Sequence, residues 1–186
     1  MIKRELYMSR IRPFIGGELI KVMTGIRRSG KSVMLDLIKE ELVESGIDSA
    51  QFISINFEDM RYAYLCNAQV LHEEILHRAE TIQGKVYLFF DEIQEVKDWE
   101  KCINSLRVAL DCDIYITGSN AKLLSGELAT YLGGRYVEFV IYPFSFAEFL
   151  ELYRPIAPQA SIQQCFQKYL LSGGMPYLAN LRYAEE

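Results

Sequence analysis

The sequence predicts a three-layer α/β fold, in which helices cover both faces of a parallel sheet. Two observations support this prediction. Apolar runs of strand length recur along the chain, at 19–25, 51–58, 85–92, 113–120 and 135–142. Segments with apolar residues three and four positions apart, as in helices, lie between them at 31–45, 67–83, 98–110 and 121–134. Nearly continuous apolar strands that alternate with helices are typical of a sheet buried on both faces.

The pattern changes after the fifth apolar run. Residues 143–186 have helical periods and no further strand, and the breaker cluster SGGMP occupies 172–176. We therefore predict a core over residues 1–142 that begins with an N-terminal helix over 1–16. Residues 143–186 are predicted to be a short helical appendage, the truncated start of a lid or C-terminal region.

Composition narrows the class of protein. The chain has 186 residues, of which half are hydrophobic, so it can bury a substantial core. Its net charge of -5 argues against a surface that holds nucleic acid through its overall field. The basic run near the N-terminus is interpreted as a solvated helix face; it contains Lys3, Arg4, Arg10 and Arg12.

Neither a membrane protein nor a disulfide-rich or zinc-binding protein is indicated. No signal peptide opens the chain and charges interrupt every apolar stretch, so a cytoplasmic location is expected. The cysteines are far apart and form no CxxC pair, which predicts free thiols, buried or half-buried, at Cys66, Cys102, Cys112 and Cys165.

The segment GIRRSGKS at residues 25–32 is the strongest functional signal in the sequence. It matches the pattern G-x-x-x-x-G-K-[ST], between an apolar strand and a helical period. Its glycines permit backbone conformations in which successive N–H groups curl around phosphate oxygens, and the following helix start adds partial positive charge. We therefore predict a nucleotide phosphate site formed by Gly25, Ile26, Arg27, Arg28, Ser29, Gly30, Lys31 and Ser32.

Individual residues of this loop are expected to have different roles. Lys31 can reach the β- and γ-phosphates, and the Ser32 hydroxyl can bind Mg²⁺. The side chains of Arg27 and Arg28 are expected to be peripheral, because the backbone amides of such a loop face the ligand.

A pair of acidic residues supports the same site independently. The run VYLFFDEI ends an apolar strand with Asp91 and Glu92, and the carboxyl ends of parallel strands open on the crevice where ligands bind. Asp91 is placed to hold Mg²⁺ through water. Glu92 is placed to orient a water for attack on the γ-phosphate, which a hydrolase needs and a simple binding site does not.

Polar residues elsewhere on this edge have two interpretations. Thr117, Ser119 and Asn120 either touch the γ-phosphate and the attacking water or form only a turn and a helix cap. Arg135, just before the fifth strand, is either an arginine finger or a surface arginine.

Four segments, in this order and spacing, resemble prokaryotic AAA-type ATPases of the AAA_14 group, which commonly have a C-terminal DUF4143 domain. They are GIRRSGKS, YLFFDEIQEV, ITGSNAKLLSGELATYLGGRYVEFVIYPFSFAEFL and LSGGMPYL. The resemblance runs from about Lys21 to the end of the chain. It implies an ASCE-type P-loop core with strand order 5-1-4-3-2, ATP as the nucleotide and Mg²⁺ as the metal.

The resemblance also implies roles for single residues. Asn56, at the end of the second strand, is a candidate for a residue that holds the catalytic glutamate away from water until a partner binds. The chain has no room for a DUF4143 domain, so a lid and a second arginine sensor are expected to be missing or only begun. The remaining roles are Walker A for Lys31 and Ser32, Walker B for Asp91 and Glu92, sensor 1 for Ser119 or Asn120, and the arginine of the GR step for Arg135.

The expected function is Mg²⁺-dependent ATP binding with slow, partner-stimulated hydrolysis that drives a conformational switch. A nucleotide-gated binding module needs the same site, and Glu92 is what favours hydrolysis over it. A P-loop kinase is a further alternative, but the sequence shows neither an acceptor pocket nor an arginine-rich lid clearly. The expected partners are ATP and a protein, or a second copy that supplies an arginine; nucleic acid is unsupported by the net charge and no membrane is expected.

Overall fold

The strands form one parallel sheet. The structure is a computed structural model that describes residues 2–119 and 132–176. Within these residues, five parallel strands lie in the order β2-β3-β4-β1-β5, which confirms the predicted order. The strands are β1 Ile20–Thr24, β2 Phe52–Asn56, β3 Val86–Asp91, β4 Cys112–Thr117 and β5 Tyr136–Val140.

Helices alternate with these strands as the periodicity predicts. The predicted helix over 121–134 lies mostly outside the described residues. Short 3₁₀ helices follow or precede strands at Arg12–Phe14, Ser49–Gln51, Met60–Leu65 and Ile93–Glu95. The α-helices are α1 Glu5–Ile11, α2 Lys31–Glu44, α3 Ala68–Ala79, α4 Trp99–Ala109, α5 Phe146–Tyr153 and α6 Ile162–Ser172.

Apolar side chains of successive strand residues point to opposite faces and fill two separate cores. On β3, Leu88 and Phe90 pack in a cluster with residues of α3 and α4. Tyr87 and Phe89 pack on the other face with residues of α1 and α2. The sheet therefore lies between two helical layers, which confirms the predicted three-layer α/β class.

Burial along the strands follows their position in the sheet. Every residue of β1, β3 and β4 is buried, as expected for central strands with helices on both faces. In contrast, β2 is an edge strand whose alternate residues Ser54 and Asn56 are exposed. The central strands are thus the ones that end at the phosphate-binding segment and at the acidic pair.

The N-terminal basic run does not lie wholly on a solvated helix face, and that interpretation is wrong for one residue. Lys3, Arg10 and Arg12 are exposed, but Arg4 is only 2% exposed. Arg4 precedes α1 in a left-handed conformation, with φ 46° and ψ 47°, and this turn directs its side chain into the protein. The charge of Arg4 is accommodated by partners from distant parts of the chain, described below.

The helices after β5 begin at well-formed caps. Ser145 and Glu148 form a capping box at the start of α5, and Ser161 and Gln164 form another at the start of α6. The division into a core over 1–142 and a separate C-terminal unit stays a prediction. Across residues 2–119 and 132–176, no helix is both long enough and apolar enough to cross a membrane.

Candidate nucleotide-binding site

The sheet order brings the predicted site residues together at one edge, formed by the carboxyl ends of the strands. Strand β4 lies between β3 and β1, and Ile116 pairs with both Phe90 and Val22. Because all three strands are parallel, their carboxyl ends point the same way. The loop at residues 25–32, the pair Asp91 and Glu92, and the segment after Thr117 therefore meet at this edge.

Glycine is required at two positions of the loop. Gly25 has φ 148° and Gly30 has φ 99°, both in regions that side chains rarely adopt. A Cβ atom at Gly25 would also lie 2.2 Å from the carbonyl oxygen of Ile141, so the chain following β5 is packed directly on the loop. The local sequence thus determines a tight turn that any other residue at Gly25 would disrupt.

The loop leads directly into a helix whose first amides are available to a ligand. Helix α2 begins at Lys31 with Gly30 as its N-cap, and within the described residues no side chain caps its first turn. Uncapped N–H groups and the helix dipole make such a terminus favourable for an anion. The Ser32 side chain on this first turn is exposed.

The ammonium of Lys31 lies close to the loop and to the acidic pair. Lys31 is 4% exposed, and its Nζ donates to the carbonyl oxygens of Gly25 at 3.4 Å and Ile26 at 3.5 Å. Its Nζ also lies 3.3 Å from Oε1 of Glu92. The Walker A lysine and the catalytic glutamate proposed from the sequence are therefore in direct contact.

A threonine at the end of β4 joins the two acidic residues. The Thr117 hydroxyl donates to Oδ1 of Asp91 and accepts from the backbone N–H of Glu92 at 3.0 Å. Thr117 is fully buried, which makes this junction rigid. Glu92 itself is left-handed, with φ 55° and ψ 49°, a conformation that non-glycine residues seldom adopt.

Gln94 is a site residue that the sequence interpretation missed. Its Nε2 donates to Oε2 of Glu92 at 2.6 Å, while Oε1 of the same carboxylate faces Lys31. The turn formed by the 3₁₀ helix Ile93–Glu95 brings Gln94 back to Glu92. The one signal in the sequence was its position two residues after the acidic pair, which is weak for so common a residue type.

A cavity of about 540 Å³ opens beside these groups. Lys31, Glu92 and Ser119 line it together, so the structure brings Ser119 to the predicted place. Arg27 also lines it, but its side chain is 82% exposed and lies 3.4 Å from Glu58. Arg27 and Arg28 are both exposed, as expected for loop side chains that point outward.

The residues suited to a metal are oxygen donors. Across the described ranges, no cluster of three or more histidine, cysteine, aspartate or glutamate residues could hold a metal ion. The donors at this edge are the Ser32 hydroxyl and the Asp91 carboxylate, which is 6% exposed. This set fits Mg²⁺, because Mg²⁺ is usually held by one or two protein oxygens together with phosphates and waters.

Two predicted site residues, Asn56 and Arg135, do not join this cluster. Asn56 accepts a hydrogen bond from the N–H of Glu58 at 2.9 Å, and it is Lys31 and Gln94 that contact the Glu92 carboxylate. Asn120 lies outside the described residues.

Arg135 lies at the opposite end of the strands, where β5 begins. It immediately precedes β5, its carbonyl accepts from Ile20 N–H, and its guanidinium donates to Asn104 at 2.8 Å. Five strand residues at about 3.3 Å each separate it from the loop edge, or about 16 Å. Within one copy of the chain, Arg135 therefore does not reach the site, and its side chain is exposed.

Two curated relatives are similar over most of this chain. An uncharacterized protein of Haemophilus influenzae is 44% identical over 176 residues, covering 95% of this chain and 44% of its own length. An uncharacterized protein of Methanocaldococcus jannaschii is 36% identical over 166 residues, covering 84% of this chain and 35% of its own length. The chain thus spans less than half the length of these relatives.

Solved structures share the fold at low sequence identity. AMPPCP-bound DnaA from Aquifex aeolicus superposes with a TM-score of 0.64 at 14% identity, covering 96% of this chain and 59% of DnaA. The ORC1 protein of Aeropyrum pernix, in complex with DNA, has a TM-score of 0.57 at 16% identity, covering 86% of this chain and 50% of that one. At such identities the likeness establishes the fold alone.

A match to the sequence profile of a known family identifies the family of this chain. The profile of the AAA_14 family, described as an AAA domain, matches residues 18–150. This range includes the phosphate-binding loop, the acidic pair and every strand of the sheet described above. The chain belongs to the AAA_14 family of AAA domains and has their P-loop, ATP-binding fold.

Proposed function

We propose that this domain binds ATP with Mg²⁺ and hydrolyses it slowly, that a partner stimulates hydrolysis, and that the reaction drives a conformational switch. The observation that supports this most directly is the contact between Lys31 and Glu92, 3.3 Å apart at the meeting point of β1, β3 and β4. A phosphate-binding cation and a water-orienting carboxylate are thereby placed in one crevice. A binding module without hydrolysis has no need of the second group.

The loop and the start of α2 would bind the triphosphate. Backbone N–H groups of residues 25–32 and the uncapped first turn of α2 provide donors, and Lys31 neutralises phosphate charge. When bound, Mg²⁺ would be held by Ser32 and, through water, by Asp91, where it neutralises charge on the phosphate oxygens. Thr117 keeps Asp91 oriented toward this place through its hydrogen bond.

Glu92 would orient the attacking water and accept its proton. Both of its carboxylate oxygens have partners, Lys31 on one and Gln94 on the other. A triphosphate that attracts the Lys31 ammonium would weaken the first contact and leave Glu92 available to water. Gln94 would keep the carboxylate in position during this exchange, so hydrolysis is coupled to occupation of the loop.

The roles proposed for the remaining site residues follow from where each residue lies. Ser119 lines the cavity and would contact the γ-phosphate, whereas Asn120 keeps its role as a sequence prediction. Arg135 would act on the site of a second copy, because it lies at the far edge of its own sheet. A cytoplasmic location and the protein partner also stay predictions, and DNA is not included because the net charge is -5.

The test is ATP affinity and single-turnover hydrolysis, with Mg²⁺, for the wild type, Lys31→Ala and Glu92→Gln. We expect Lys31→Ala to abolish ATP binding. Glu92→Gln is expected to bind ATP normally and to lose hydrolysis by about 100-fold or more, the usual scale for removing a general base. Lys39→Ala is the matched control, since Lys39 lies on the same helix and pairs with Asp36 away from the loop.

Other outcomes would identify the alternatives. Hydrolysis no faster in the wild type than in Glu92→Gln would indicate a nucleotide-gated binding module. Phosphate transfer to an added acceptor, with little release to water, would indicate a kinase. If the wild type does not bind ATP at all, the proposal fails.

A further inference from the structure

Arg4, a residue outside the nucleotide site, donates a hydrogen bond to the backbone of the phosphate-binding loop. The side chain of Arg4 is 1% exposed. Its Nη1 donates to the carbonyl oxygen of Ser29 at 2.9 Å, and Ser29 itself is fully buried. A charged donor is therefore bonded to the loop backbone in a site shielded from water, where such bonds are strong.

This hydrogen bond determines where the next amide points. In a planar trans peptide the C=O and N–H groups lie on opposite sides, so holding the Ser29 carbonyl toward Arg4 turns the Gly30 N–H away from it. Gly30 is the N-cap of α2, so its N–H belongs to the helix start that would bind phosphate. The Ser29 hydroxyl has no hydrogen-bond partner among the described residues, so Ser29 is held through its backbone: its carbonyl accepts from Arg4 and its N–H donates to the carbonyl of Ile26 at 3.2 Å.

The other donors of Arg4 bind segments that follow β5. Its Nε donates to Oε1 of Glu148 at 2.9 Å and its Nη2 donates to the carbonyl oxygen of Tyr142 at 2.8 Å. The guanidinium also lies over the rings of Tyr7 and Phe144, at 4.6 Å and 5.1 Å. Arg4 thus joins the loop to the chain entering α5.

Glu148 is positioned by the helix that it caps. Oε2 of Glu148 accepts from the N–H of Ser145 at 2.8 Å in the α5 capping box, while Oε1 accepts from Arg4. Burial acts to raise the pKa of Glu148, but the hydrogen bonds from Arg4 and Ser145 outweigh it, so this pKa lies below its ordinary value. The Glu148 carboxylate therefore both caps the start of α5 and binds Arg4.

The SGGMP segment reaches the same place. The carbonyl of Gly174 accepts from the N–H of Phe144 at 2.6 Å, and the Tyr169 hydroxyl donates to the carbonyl of Phe144 at 2.8 Å. A Cβ atom at Gly30 would lie 3.3 Å from Nη1 of Arg4 and 3.7 Å from the side chain of Pro176. Gly30 is thus the point at which the loop, Arg4 and the C-terminal segment meet.

We propose that Arg4 is a positioning residue of the phosphate site, which directs the Gly30 N–H toward the phosphates and, through Glu148, couples ATP binding to the docking of α5 and the SGGMP segment. This inference rests on the proposed ATP binding. Arg4 does not touch the nucleotide; it acts through the Ser29–Gly30 peptide.

The experiment compares Arg4→Gln with Arg12→Gln in the full chain. Arg12 lies directly after α1 and holds that helix to α2 by pairing with Glu5 and Glu41, but it does not contact the loop. We expect about tenfold weaker ATP binding for Arg4→Gln, the usual effect of losing a charge-assisted hydrogen bond, and wild-type affinity for Arg12→Gln. Glu148→Gln, which can still form the capping box, is expected to weaken ATP binding less than Arg4→Gln does.

A spectroscopic measurement separates positioning from simple stabilisation. With selective ¹⁵N labelling of the chain's 12 glycines, the Gly30 amide resonance is expected to shift in Arg4→Gln without nucleotide and to stay in place in Arg12→Gln. If Arg4→Gln does not fold, Arg4→Lys takes its place, with a smaller shift and weaker binding expected because lysine donates to fewer partners at once.

Two results would overturn this inference without affecting the proposed function. One is ATP affinity in Arg4→Gln, or in Arg4→Lys if that variant is used, equal to that of Arg12→Gln while Lys31→Ala still abolishes binding. The other is an unchanged Gly30 resonance. By contrast, a wild-type chain that does not bind ATP would overturn the proposed function itself.

Discussion

Two buried ion pairs lie at opposite ends of the parallel strands, and they differ in the segments that they connect. The end at which the strands begin is called the amino edge, and the end at which they finish is called the carboxyl edge. At the amino edge, Lys21 of β1 pairs with Asp113 of β4, and both side chains are fully buried. Asp113 also accepts from the N–H of Gly16 and the hydroxyl of Tyr115, each at 2.7 Å, and Lys21 donates to the carbonyl of Gly17 at 3.0 Å. This pair joins two adjacent strands and the turn before them.

The pair at the carboxyl edge joins segments that are not paired in the sheet. Arg4 reaches Glu148 and Tyr142, which are 144 and 138 residues away in sequence, and also the backbone of the phosphate-binding loop at Ser29. Similar chemistry thus has two uses: Lys21 supports strand packing, whereas Arg4 contacts a loop whose conformation matters to the ligand.

The role of a buried charge is indicated by the acceptors that it binds. Burial lowers the pKa of Lys21, an effect that the Asp113 carboxylate opposes, so the charged amine depends on that partner. Removing one member of such a pair leaves the other buried without compensation, which is strongly destabilising. At the amino edge the consequence should be confined to stability, and at the carboxyl edge it should extend to ATP binding.

The largest effect is expected for Lys21→Met, which leaves Asp113 buried without its cation. We expect the free energy of unfolding to fall by about 3–5 kcal/mol. The ATP affinity of the folded fraction should stay at the wild-type value, because Lys21 lies at the edge far from residues 25–32. Urea denaturation and ATP titration measure the two quantities. A parallel loss of ATP affinity would show that the two ends of the strands are coupled and that the two ion pairs do not differ in function.

An intermediate effect is expected from pH, and it acts on the carboxyl edge. The pKa of Glu148 is lowered in the folded protein, so its stabilising contribution is fully present above the unfolded value of 4.5 and is lost as the pH falls through the folded pKa. We expect the wild type to be about 2 kcal/mol more stable than Glu148→Gln at neutral pH, on the scale of a charged hydrogen bond. That difference should shrink as the pH falls below 4.5.

Denaturation of both proteins over this acid range tests the sign. The Lys39→Ala variant keeps both buried pairs and is the control, since its stability should retain the Glu148 contribution to the pH dependence. A difference between the wild type and Glu148→Gln that grows on acidification would contradict the interpretation of the Arg4–Glu148 pair as a charged pair.

The smallest effect is expected in thiol labelling, which reports on the amino edge. Burial raises the pKa of Cys112 to about 11 and that of Cys102 to about 12, so both thiols are protonated and shielded. Cys112 directly precedes Asp113, and we expect Lys21→Met to accelerate its alkylation more than Arg4→Gln does. Mass spectrometry of alkylated peptides measures the rates, with half-buried Cys66 as the internal reference. Equal acceleration in both variants would indicate global opening rather than opening of one edge.

Much of the fold could be predicted because its determinants are local. Each strand coincides with an apolar run, and the phosphate-binding turn requires glycine at Gly25 and Gly30, which the motif contains. Asp91 and Glu92 were predicted from the apolar strand before them. Gln94 was not, since its role depends on a 3₁₀ turn that no pattern announces.

The position of Arg135 shows a different limit of sequence reasoning. A sequence places Arg135 next to the fifth strand but does not say at which edge of the sheet the neighbouring ligand lies. Parallel pairing of β5 with β1 puts the start of one strand beside the start of the other. Arg135 therefore lies far from its own loop, and an arginine finger from this position would have to act on another copy.

The three-layer class, the order in which strands and helices occur, and the loop that suits a triphosphate could all be predicted from the residues alone. These follow from side-chain periodicity and backbone freedom, which act over a few residues. The burial of Arg4, by contrast, depends on the folded arrangement of distant segments. Its acceptors at Ser29, Tyr142 and Glu148 lie in segments that are far apart in sequence and meet only in the folded chain. A buried charge needs hydrogen-bonding partners, and those of Arg4 converge only in the folded chain.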